Sequence, residues 1–155
     1  MVLQHLTDHN IESARWNVPI STMPDREACE WLTSGRWDLP PLEPRLGGPN
    51  QKVYFLTDGR AISYAESCMG IVEAYKLGEI VGGPTAGTNG NVNPLTLPGG
   101  YWVMWTGMKV LKHDGSRHHG VGIAPTIPVE RTVEGIAAAR DEVLDAAVKA
   151  AIRPN

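Results

Sequence analysis

The sequence predicts an α/β fold in which a strand, a helix and a second strand form the central unit. Residues 53–56 (VYFL) form a short apolar run of the kind found in buried strands. Apolar residues then recur at helical spacing as far as Gly78, and residues 79–81 (EIV) indicate another short strand. Parallel strands need such a crossover, which is nearly always right-handed. The apolar helical positions are Ala65, Cys68, Met69, Val72 and Tyr75.

Composition limits the chain to one domain and a few classes of function. Its 155 residues, 42% of them hydrophobic, are enough for a single core. A net charge of −3 without any lysine-arginine block disfavours nucleic acid as a partner. No apolar run has the length of a membrane span, and residues 1–12 lack the profile of a secretory signal. Cys29 and Cys68 are the only cysteines, and they indicate neither a disulfide framework nor a zinc spacing.

Residues 1–50 are rich in proline and tryptophan, and we expect them to form a mostly irregular connector packed on the core of residues 51–155. Within them, Leu3–Ser13 favours one helical stretch and Asp25–Leu32 a short turn. Large aromatic side chains rarely lie on a bare surface. The tryptophans expected to pack this segment onto the core are Trp16, Trp31 and Trp37.

The middle of the chain predicts a loop followed by a β-meander. Residues 82–91 are rich in glycine but lack the Gly-Lys-Ser/Thr ending of a phosphate loop, so they predict no nucleotide site. Residues 101–106 and 108–112 alternate as strands, and an Asp-Gly turn at 114–115 precedes a further strand at residues 116–123.

The end of the chain predicts one amphipathic surface helix over residues 133–152, with Thr132 as its cap. No internal repeat or second module is indicated. The apolar face of this helix consists of Ile136, Val143, Leu144, Ala147 and Ala151.

The corner between the first strand and its helix carries a serine that suits two different roles. Ser63 follows a glycine-containing turn and begins the helix, where unpaired backbone N–H groups can stabilise an oxyanion after hydroxyl attack on a carbonyl. Glu66 follows three residues later, so the pair also fits a capping box, which is far commoner than a catalytic serine. The local pattern alone leaves both interpretations open.

Three segments in fixed order resemble the C-terminal-processing, or tail-specific, serine peptidase family. They are Gly59–Glu66 (GRAISYAE), Gly82–Thr88 (GGPTAGT) and Gly120–Val129 (GVGIAPTIPV). The resemblance implies a Clp protease/crotonase-like α/β fold, in which strand-strand-helix units form a superhelix. It also implies a serine peptidase for peptide or protein substrates, with Ser63 as the nucleophile and Glu66 in a supporting or capping role.

The sequence departs from this family at the general base. Tail-specific enzymes take that base from a lysine in the second motif, at the position that Thr88 occupies here. A threonine hydroxyl cannot accept a proton near neutral pH, so the serine-lysine dyad is absent. Other lysines do not lie at the motif position and fit ordinary surface residues; they are Lys76, Lys109 and Lys112.

A cluster before the third motif offers a different base. His113, Asp114, His118 and His119 lie close together in sequence, and imidazole has a suitable pKa for accepting the serine proton. In the tricorn-like branch, which is related and lacks the lysine, a glutamate just before the third motif orients a histidine from elsewhere. His119 occupies that position and is therefore the candidate base or orienting residue, against the alternative of a hairpin histidine bonded to backbone.

No metal or cofactor is predicted. The same four residues are a poor zinc site, because one hairpin rarely directs its side chains to a common point and the His-x-x-x-His helical spacing is missing.

Family members usually place a substrate-binding domain and an arginine-glycine strand before the segment seen here, and nothing before Val53 matches that strand. The chain therefore resembles the C-terminal part of a longer peptidase, and the Tyr64 backbone N–H is the oxyanion donor that the sequence identifies. A missing neighbouring strand exposes a sheet edge, so we expect a homo-oligomer joined through exposed edges.

Three functions remain open on this basis. The first is a peptidase that works through Ser63 and has little activity as this chain alone. The second is a non-catalytic binding module on the same scaffold, which the absent lysine favours. The third is a truncated product that keeps the fold without the activity. The compartment stays open, although the family is often extracytoplasmic.

Overall fold

The computed structural model describes residues 1–20, 30–46 and 51–152. A 3₁₀ helix at Val2–His5 is followed by strands β1 (Ile11–Glu12), β2 (Trp16–Pro19), β3 (Trp31–Gly35), β4 (Asp38–Leu39) and β5 (Tyr54–Thr57). Helix α1 (Tyr64–Tyr75) leads to β6 (Glu79–Gly82), β7 (Asn93–Thr96), β8 (Trp102–Trp105), β9 (Lys109–Val110) and β10 (Ile127–Pro128), and helices α2 (Val133–Ala137) and α3 (Glu142–Ala151) come last. Within these three ranges, no helix is long and apolar enough to cross a membrane.

A three-stranded parallel sheet with the order β10-β6-β5 forms the centre of the fold. Helix α1 connects β5 to β6, and those two strands pair along their whole length. The predicted strand-helix-strand unit is therefore confirmed. Ile80 packs in one buried cluster with residues of α1, whereas its neighbour Val81 packs with Val143 of α3, because successive strand residues face opposite sides of a sheet. The sheet thus lies between α1 and α3.

Helix α1 ends earlier than predicted. Lys76 takes a left-handed conformation with φ of 52° and closes the helix, two residues before Gly78. Gly78 has a different role, because a Cβ atom there would lie 2.4 Å from the backbone oxygen of Val53. Its lack of a side chain lets the chain turn back against β5. Met69 and Val72 of the predicted apolar stripe are buried.

The described part of residues 1–50 contains four strands that the sequence does not predict. Strand β2 lies between β3 and β9 in an antiparallel sheet, and β1 pairs with β4. The helix expected at Leu3–Ser13 is wrong, since the helical residues are Val2–His5 and β1 begins at Ile11. These strands are stabilised by partners distant in sequence, which local propensity does not reveal. Of the turn predicted at Asp25–Leu32, residues 25–29 lie outside the described residues, and its last two residues belong to β3.

The expected tryptophan packing is confirmed for two of the three residues. The rings of Trp16 and Trp37 meet edge to face with centroids 5.5 Å apart, and Trp37 lies 5.0 Å from the ring of Tyr64 at the start of α1. Trp31 is instead 44% exposed, with the ammonium group of Lys109 over its ring. The division of the chain at residue 50 stays a prediction.

The predicted β-meander is wrong. Strand β8 pairs with β7 in a hairpin, whereas β9 pairs with β2 in a different sheet. Residues 116–123 form turns and one isolated bridge between Leu111 and Arg117 instead of a strand. Gly120 and Gly122 have φ values of 72° and 70° there, which interrupt an extended chain.

The predicted terminal helix is divided into α2 and α3. Thr132 caps α2 as expected, its hydroxyl accepting the Gly135 N–H at 2.9 Å. Asp141 caps α3 in the same manner through the Leu144 N–H. Val143 and Ala147 of α3 are buried, but the other three residues of the predicted apolar face are exposed; they are Ile136, Leu144 and Ala151.

Candidate active site

Ser63 stands at the N-terminus of α1, at the carboxyl-terminal side of β5. It is exposed and has φ and ψ of 52° and −114°, a conformation that is costly for a residue with a side chain. Its own N–H donates to the backbone oxygen of Thr88 at 2.8 Å, and its carbonyl accepts the Ser67 N–H. Among the hydrogen bonds of the described residues, none uses the N–H of Tyr64, which is free to hold an oxyanion.

A short turn fixes the approach of the chain to Ser63. The guanidinium of Arg60 donates to the Asp58 carboxylate through Nε at 2.9 Å and Nη2 at 2.6 Å, which holds the pKa of that carboxyl below its usual value. The Ala61 N–H donates to the Asp58 carbonyl. Residues 58–61 therefore form a compact turn shortly before Ser63.

The capping box predicted for Ser63 and Glu66 is wrong. The Ser63 side chain makes no capping hydrogen bond, and its φ of 52° departs from the extended backbone that a capping residue normally has. Glu66 is only 1% exposed. Its carboxylate accepts the hydroxyl of Thr85 at 2.7 Å and the backbone N–H groups of Gly87 at 2.6 Å and Thr88 at 2.8 Å. Glu66 thus holds the glycine-rich loop against α1.

The second motif is the loop that Glu66 holds, and Thr88 lies at its end next to Ser63. The N–H of Thr88 donates to Glu66 while its carbonyl accepts from Ser63. The side chain of Thr88 is exposed and uninvolved in these bonds. A side chain at this position therefore starts beside Ser63, as the resemblance implies, but threonine offers no base there.

The third motif packs directly on the second. The Gly120 N–H donates to the Gly87 carbonyl at 2.8 Å, and the Thr85 hydroxyl accepts the Ile123 N–H at 2.8 Å. A Cβ atom on Gly122 would lie 2.4 Å from the Thr85 backbone oxygen, so only glycine fits this contact. The structure therefore brings the three motifs together.

His118, not His119, is the histidine beside the buried carboxylate. His118 is 3% exposed, and its Nε2 lies 3.4 Å from Oε1 of Glu66 without making a hydrogen bond within the described chain. His119 accepts the Val110 N–H at its own Nε2. Burial, followed by the neighbouring His118, lowers the pKa of His119 and favours its neutral form.

The histidine cluster seen in the sequence does not converge on one point. His113 bonds the Glu12 carbonyl through Nε2 and packs on the ring of Tyr75, and Asp114 accepts the Ser116 N–H. Across residues 1–20, 30–46 and 51–152 no group of three or more His, Cys, Asp or Glu side chains is placed to hold a metal ion.

Other candidate groups are occupied elsewhere or unsuited to catalysis. Lys112 pairs with Glu73 at 3.0 Å, and Lys109 lies over Trp31. Burial raises the pKa of the Cys68 thiol, which disfavours the reactive thiolate. In the described parts of the chain, neither lysine nor histidine is hydrogen bonded to the Ser63 hydroxyl.

Thr85 is the residue of this site that the sequence did not single out. Its hydroxyl donates to Glu66 and accepts from Ile123, so one side chain joins all three motifs. Asn89 was missed in the same way and donates to the Ser67 hydroxyl at 3.0 Å inside the protein. Their position within the glycine-rich loop is the only signal that the sequence offers.

Comparison with known proteins identifies relatives of this arrangement. The model of peptidase family S41 matches residues 16–129. No curated protein sequence matches significantly. A candidate peptidase from Parabacteroides merdae ATCC 43184 is 19% identical with a TM-score of 0.76, and the match covers 99% of this chain and 47% of that one.

Two characterised proteases have the same fold over part of their length. The tricorn protease is 20% identical with a TM-score of 0.56, over 70% of this chain and 12% of that one. The photosystem II D1 C-terminal processing protease is 16% identical with a TM-score of 0.51, over 83% of this chain and 30% of that one. This chain thus spans less than half the length of each protein named here.

These matches confirm the predicted Clp protease/crotonase-like α/β fold. The family model covers most of the chain and includes all three motifs that meet around Ser63 and Glu66. The chain belongs to peptidase family S41.

Proposed function

We propose that this chain is a serine-type peptidase domain that cleaves peptide bonds through a Ser63 acyl-enzyme. The observation that carries the proposal is the strained, exposed Ser63 at the start of α1, followed by the free N–H of Tyr64. Strained backbone of this kind persists where the surrounding structure enforces it, and it is concentrated at functional sites. One such surrounding contact here is the Thr88 carbonyl, which accepts the Ser63 N–H at 2.8 Å.

The reaction would follow the usual course of acyl transfer. The Ser63 hydroxyl oxygen bonds to the carbonyl carbon of the substrate, and its proton passes to a general base. The Tyr64 N–H stabilises the resulting oxyanion. The carbon–nitrogen bond then breaks, the base returns its proton to the leaving amine, and water hydrolyses the ester to free Ser63.

The general base is the open part of this mechanism. His119 stays the residue predicted from the motif position, but its Nε2 accepts the Val110 N–H. His118 is closer to the site than His119, because its Nε2 lies 3.4 Å from Oε1 of Glu66. We propose that a histidine of this pair orients or supplies the base, and variants of each separate the two.

Labelling with a fluorophosphonate probe tests the nucleophile directly. The phosphorus bonds to the serine oxygen and fluoride leaves, so a reactive Ser63 gains a stable adduct that peptide mapping locates. We expect labelling of the unaltered chain and of Ser116→Ala, an exposed serine outside the site, and none of Ser63→Ala. An unlabelled Ser63 in the intact folded chain would overturn the peptidase proposal.

The pH dependence of labelling tests the base. His118→Gln or His119→Gln should lower the labelling rate and remove the rise of rate with pH that a histidine base produces. If the pH profile of the labelling rate is unchanged in both variants, neither histidine supplies or orients the general base.

A second function, a non-catalytic binding module on the same scaffold, is favoured by one observation. Where the structure is described, no basic side chain is hydrogen bonded to the Ser63 hydroxyl, and Thr88 replaces the lysine of the family motif. Peptide binding without any Ser63 adduct would support this alternative.

We also propose that copies of the chain associate through the exposed edge of the parallel sheet. Strand β5 pairs with β6 on one side, and its other side has no partner strand among the described elements. Leu56 on this edge is 44% exposed, and such edges readily pair with another chain. Light scattering after size-exclusion chromatography should give a multiple of the chain mass, whereas a compact monomer at all concentrations would exclude the association.

A further inference from the structure

Strands β7 and β8 form an apolar hairpin that stands apart from the rest of the fold. The two strands pair with each other and with no other strand in the described chain. Trp102 and Met104 on one face are 69% and 62% exposed, and Val103 and Trp105 on the other face are 45% and 48% exposed. A two-stranded hairpin is marginal alone in water, and apolar exposure on both faces indicates a surface that binds something.

The apolar hairpin lies within a segment that carries no charge. From Ile80 to Met108 the sequence contains no Asp, Glu, Lys, Arg or His. Soluble surfaces normally carry both signs of charge, and a charged ligand buried here would find no partner. The chemistry of this surface therefore fits an uncharged, apolar ligand.

The strand ends where the apolar hairpin joins the rest of the fold lie close to the residues around Ser63. Asn89, which follows Thr88, donates to Ser67 one turn along α1 from Ser63. A Cβ atom on Gly90 would lie 2.6 Å from the Thr106 hydroxyl, so the two ends of the hairpin meet tightly at its base. The apolar surface therefore begins at the loop that holds Ser63 and extends away from it.

The outer edge of β8 is open to a further strand. The Leu97 N–H bonds the Tyr101 carbonyl at the hairpin end, so in the alternating antiparallel pattern Trp102 and Met104 direct their N–H and C=O groups outward. Pro94 lies opposite Met104 on β7, where proline removes an outward N–H and blocks that edge. One edge is thus open to a ligand and the other is closed.

We propose that the apolar hairpin binds the substrate polypeptide as an extended, uncharged, apolar segment that adds as a strand to β8. This inference rests on the proposed peptidase function. Backbone hydrogen bonds to the β8 edge would give affinity, and the flanking aromatic side chains would select apolar residues over charged ones. The apolar hairpin is continuous with the loop that holds Ser63. This favours a substrate polypeptide, which could also reach Ser63, as the ligand, and disfavours a second copy of the protein.

Peptide binding to the Ser63→Ala chain tests the proposal without requiring cleavage. The probe is a short, end-capped peptide of alternating valine and serine that carries an uncharged fluorophore, and fluorescence anisotropy measures its dissociation constant. We expect replacement of two serines by glutamate, or by lysine, to weaken binding about tenfold or more. Binding of the uncharged peptide should not change with salt, because no charges take part. Equal affinity for all three peptides, or no binding, would overturn the proposal.

Matched variants of β8 locate the binding surface. Met104→Pro removes an outward N–H and should weaken binding about tenfold or more, whereas Met104→Leu keeps the N–H and should bind as before. Trp102→Glu places a charge on the surface without altering the backbone and should weaken binding similarly. Val133→Glu, at a residue that is 77% exposed on α2, is the charge control and should have no effect.

Two outcomes separate substrate recognition by the apolar hairpin from self-association and from catalysis. If Trp102→Glu abolishes self-association in sedimentation velocity while the peptide never binds, the surface belongs to a second copy and the proposal fails. If the peptide binds as expected but fluorophosphonate does not label Ser63, the recognition surface stands and the peptidase proposal fails.

Discussion

The backbone carbonyl of Thr88 accepts the backbone N–H of Ser63 at 2.8 Å, so the end of the glycine-rich loop is fixed against the candidate nucleophile. The side chain of residue 88 therefore starts beside Ser63, and the resemblance places the general base of related enzymes at this position. A single substitution at residue 88 can therefore test whether the missing general base limits the reactivity of Ser63.

Thr88→Lys should create a serine-lysine pair in this chain. A positioned general base contributes roughly 10²–10⁴ in rate, so we expect fluorophosphonate labelling of Ser63 to become about 10² faster. The rate should rise with pH as the amine loses its proton. Thr88→Met, which has an unbranched side chain without the amine, is the control, and equal rates in the two variants would contradict the prediction.

Glu66→Gln should destabilise the protein although the two side chains have the same shape. The carboxylate accepts three hydrogen bonds in a buried position, and the amide group of glutamine would turn a donor toward one of those donors. Hydrogen bonds to charged groups contribute about 1.5–3 kcal/mol, so we expect the free energy of unfolding to fall by about that amount. Urea denaturation measures it.

The control for this change is Glu134→Gln, at an exposed residue of α2. It should alter the free energy of unfolding by less than about 0.5 kcal/mol. Equal losses for both variants would show that Glu66 does not hold the loop.

Gly122→Ala and Gly115→Ala form a matched pair with φ values of 70° and 81°. Each should lose about 1–2 kcal/mol for a left-handed alanine. At Gly122 the new methyl would also lie 2.4 Å from the Thr85 backbone oxygen, whereas nothing lies within 4 Å at Gly115. We expect Gly122→Ala to lose about 1–3 kcal/mol more than Gly115→Ala in urea denaturation, as overpacking does. A difference near zero would show that the contact between the second and third motifs is loose.

Stability should depend on pH through His119. Burial lowers the pKa of this residue in the folded protein below its ordinary value of 6.5, so the unfolded chain binds its proton more tightly. The resulting penalty is absent well above pH 6.5 and grows as the pH falls from that value toward the folded pKa. His119→Gln should therefore flatten the decrease in the urea midpoint between about pH 7 and pH 5.

The control for the pH dependence is His113→Gln, because His113 is exposed and its ring bonds the Glu12 carbonyl, away from His119. This variant should retain the full decrease in stability on acidification. If His119→Gln retains it as well, His119 does not carry the dependence.

The central unit of the fold could be predicted because its signals are local. The apolar run before Ser63, the helical spacing after it and the short run after Gly78 each describe one element, and a parallel crossover follows from their order. The meeting of the three motifs could be predicted only through their resemblance to a family, since nothing local links Thr85 with Ile123.

The errors arose where the decisive contact is distant in sequence or lies in the backbone. β2 pairs with β9, a partner that no local pattern identifies. β7 contains Pro94, which suggests a break in the chain until its place in an edge strand, with no ladder hydrogen bond to lose, is known. The sequence likewise does not show that His118, and not its neighbour His119, lies beside Glu66. The missed capping contact follows from the left-handed conformation of Ser63.

At residue 88 the backbone makes the structural hydrogen bonds, and the side chain is not needed for them. The N–H and the carbonyl hold the loop between Glu66 and Ser63, while the side chain is exposed and makes no hydrogen bond with the described residues. The scaffold therefore tolerates a change of side chain here without losing its shape. The fold is therefore compatible with residues at position 88 that can or cannot act as a base, so the shape of this domain does not by itself report whether Ser63 has one.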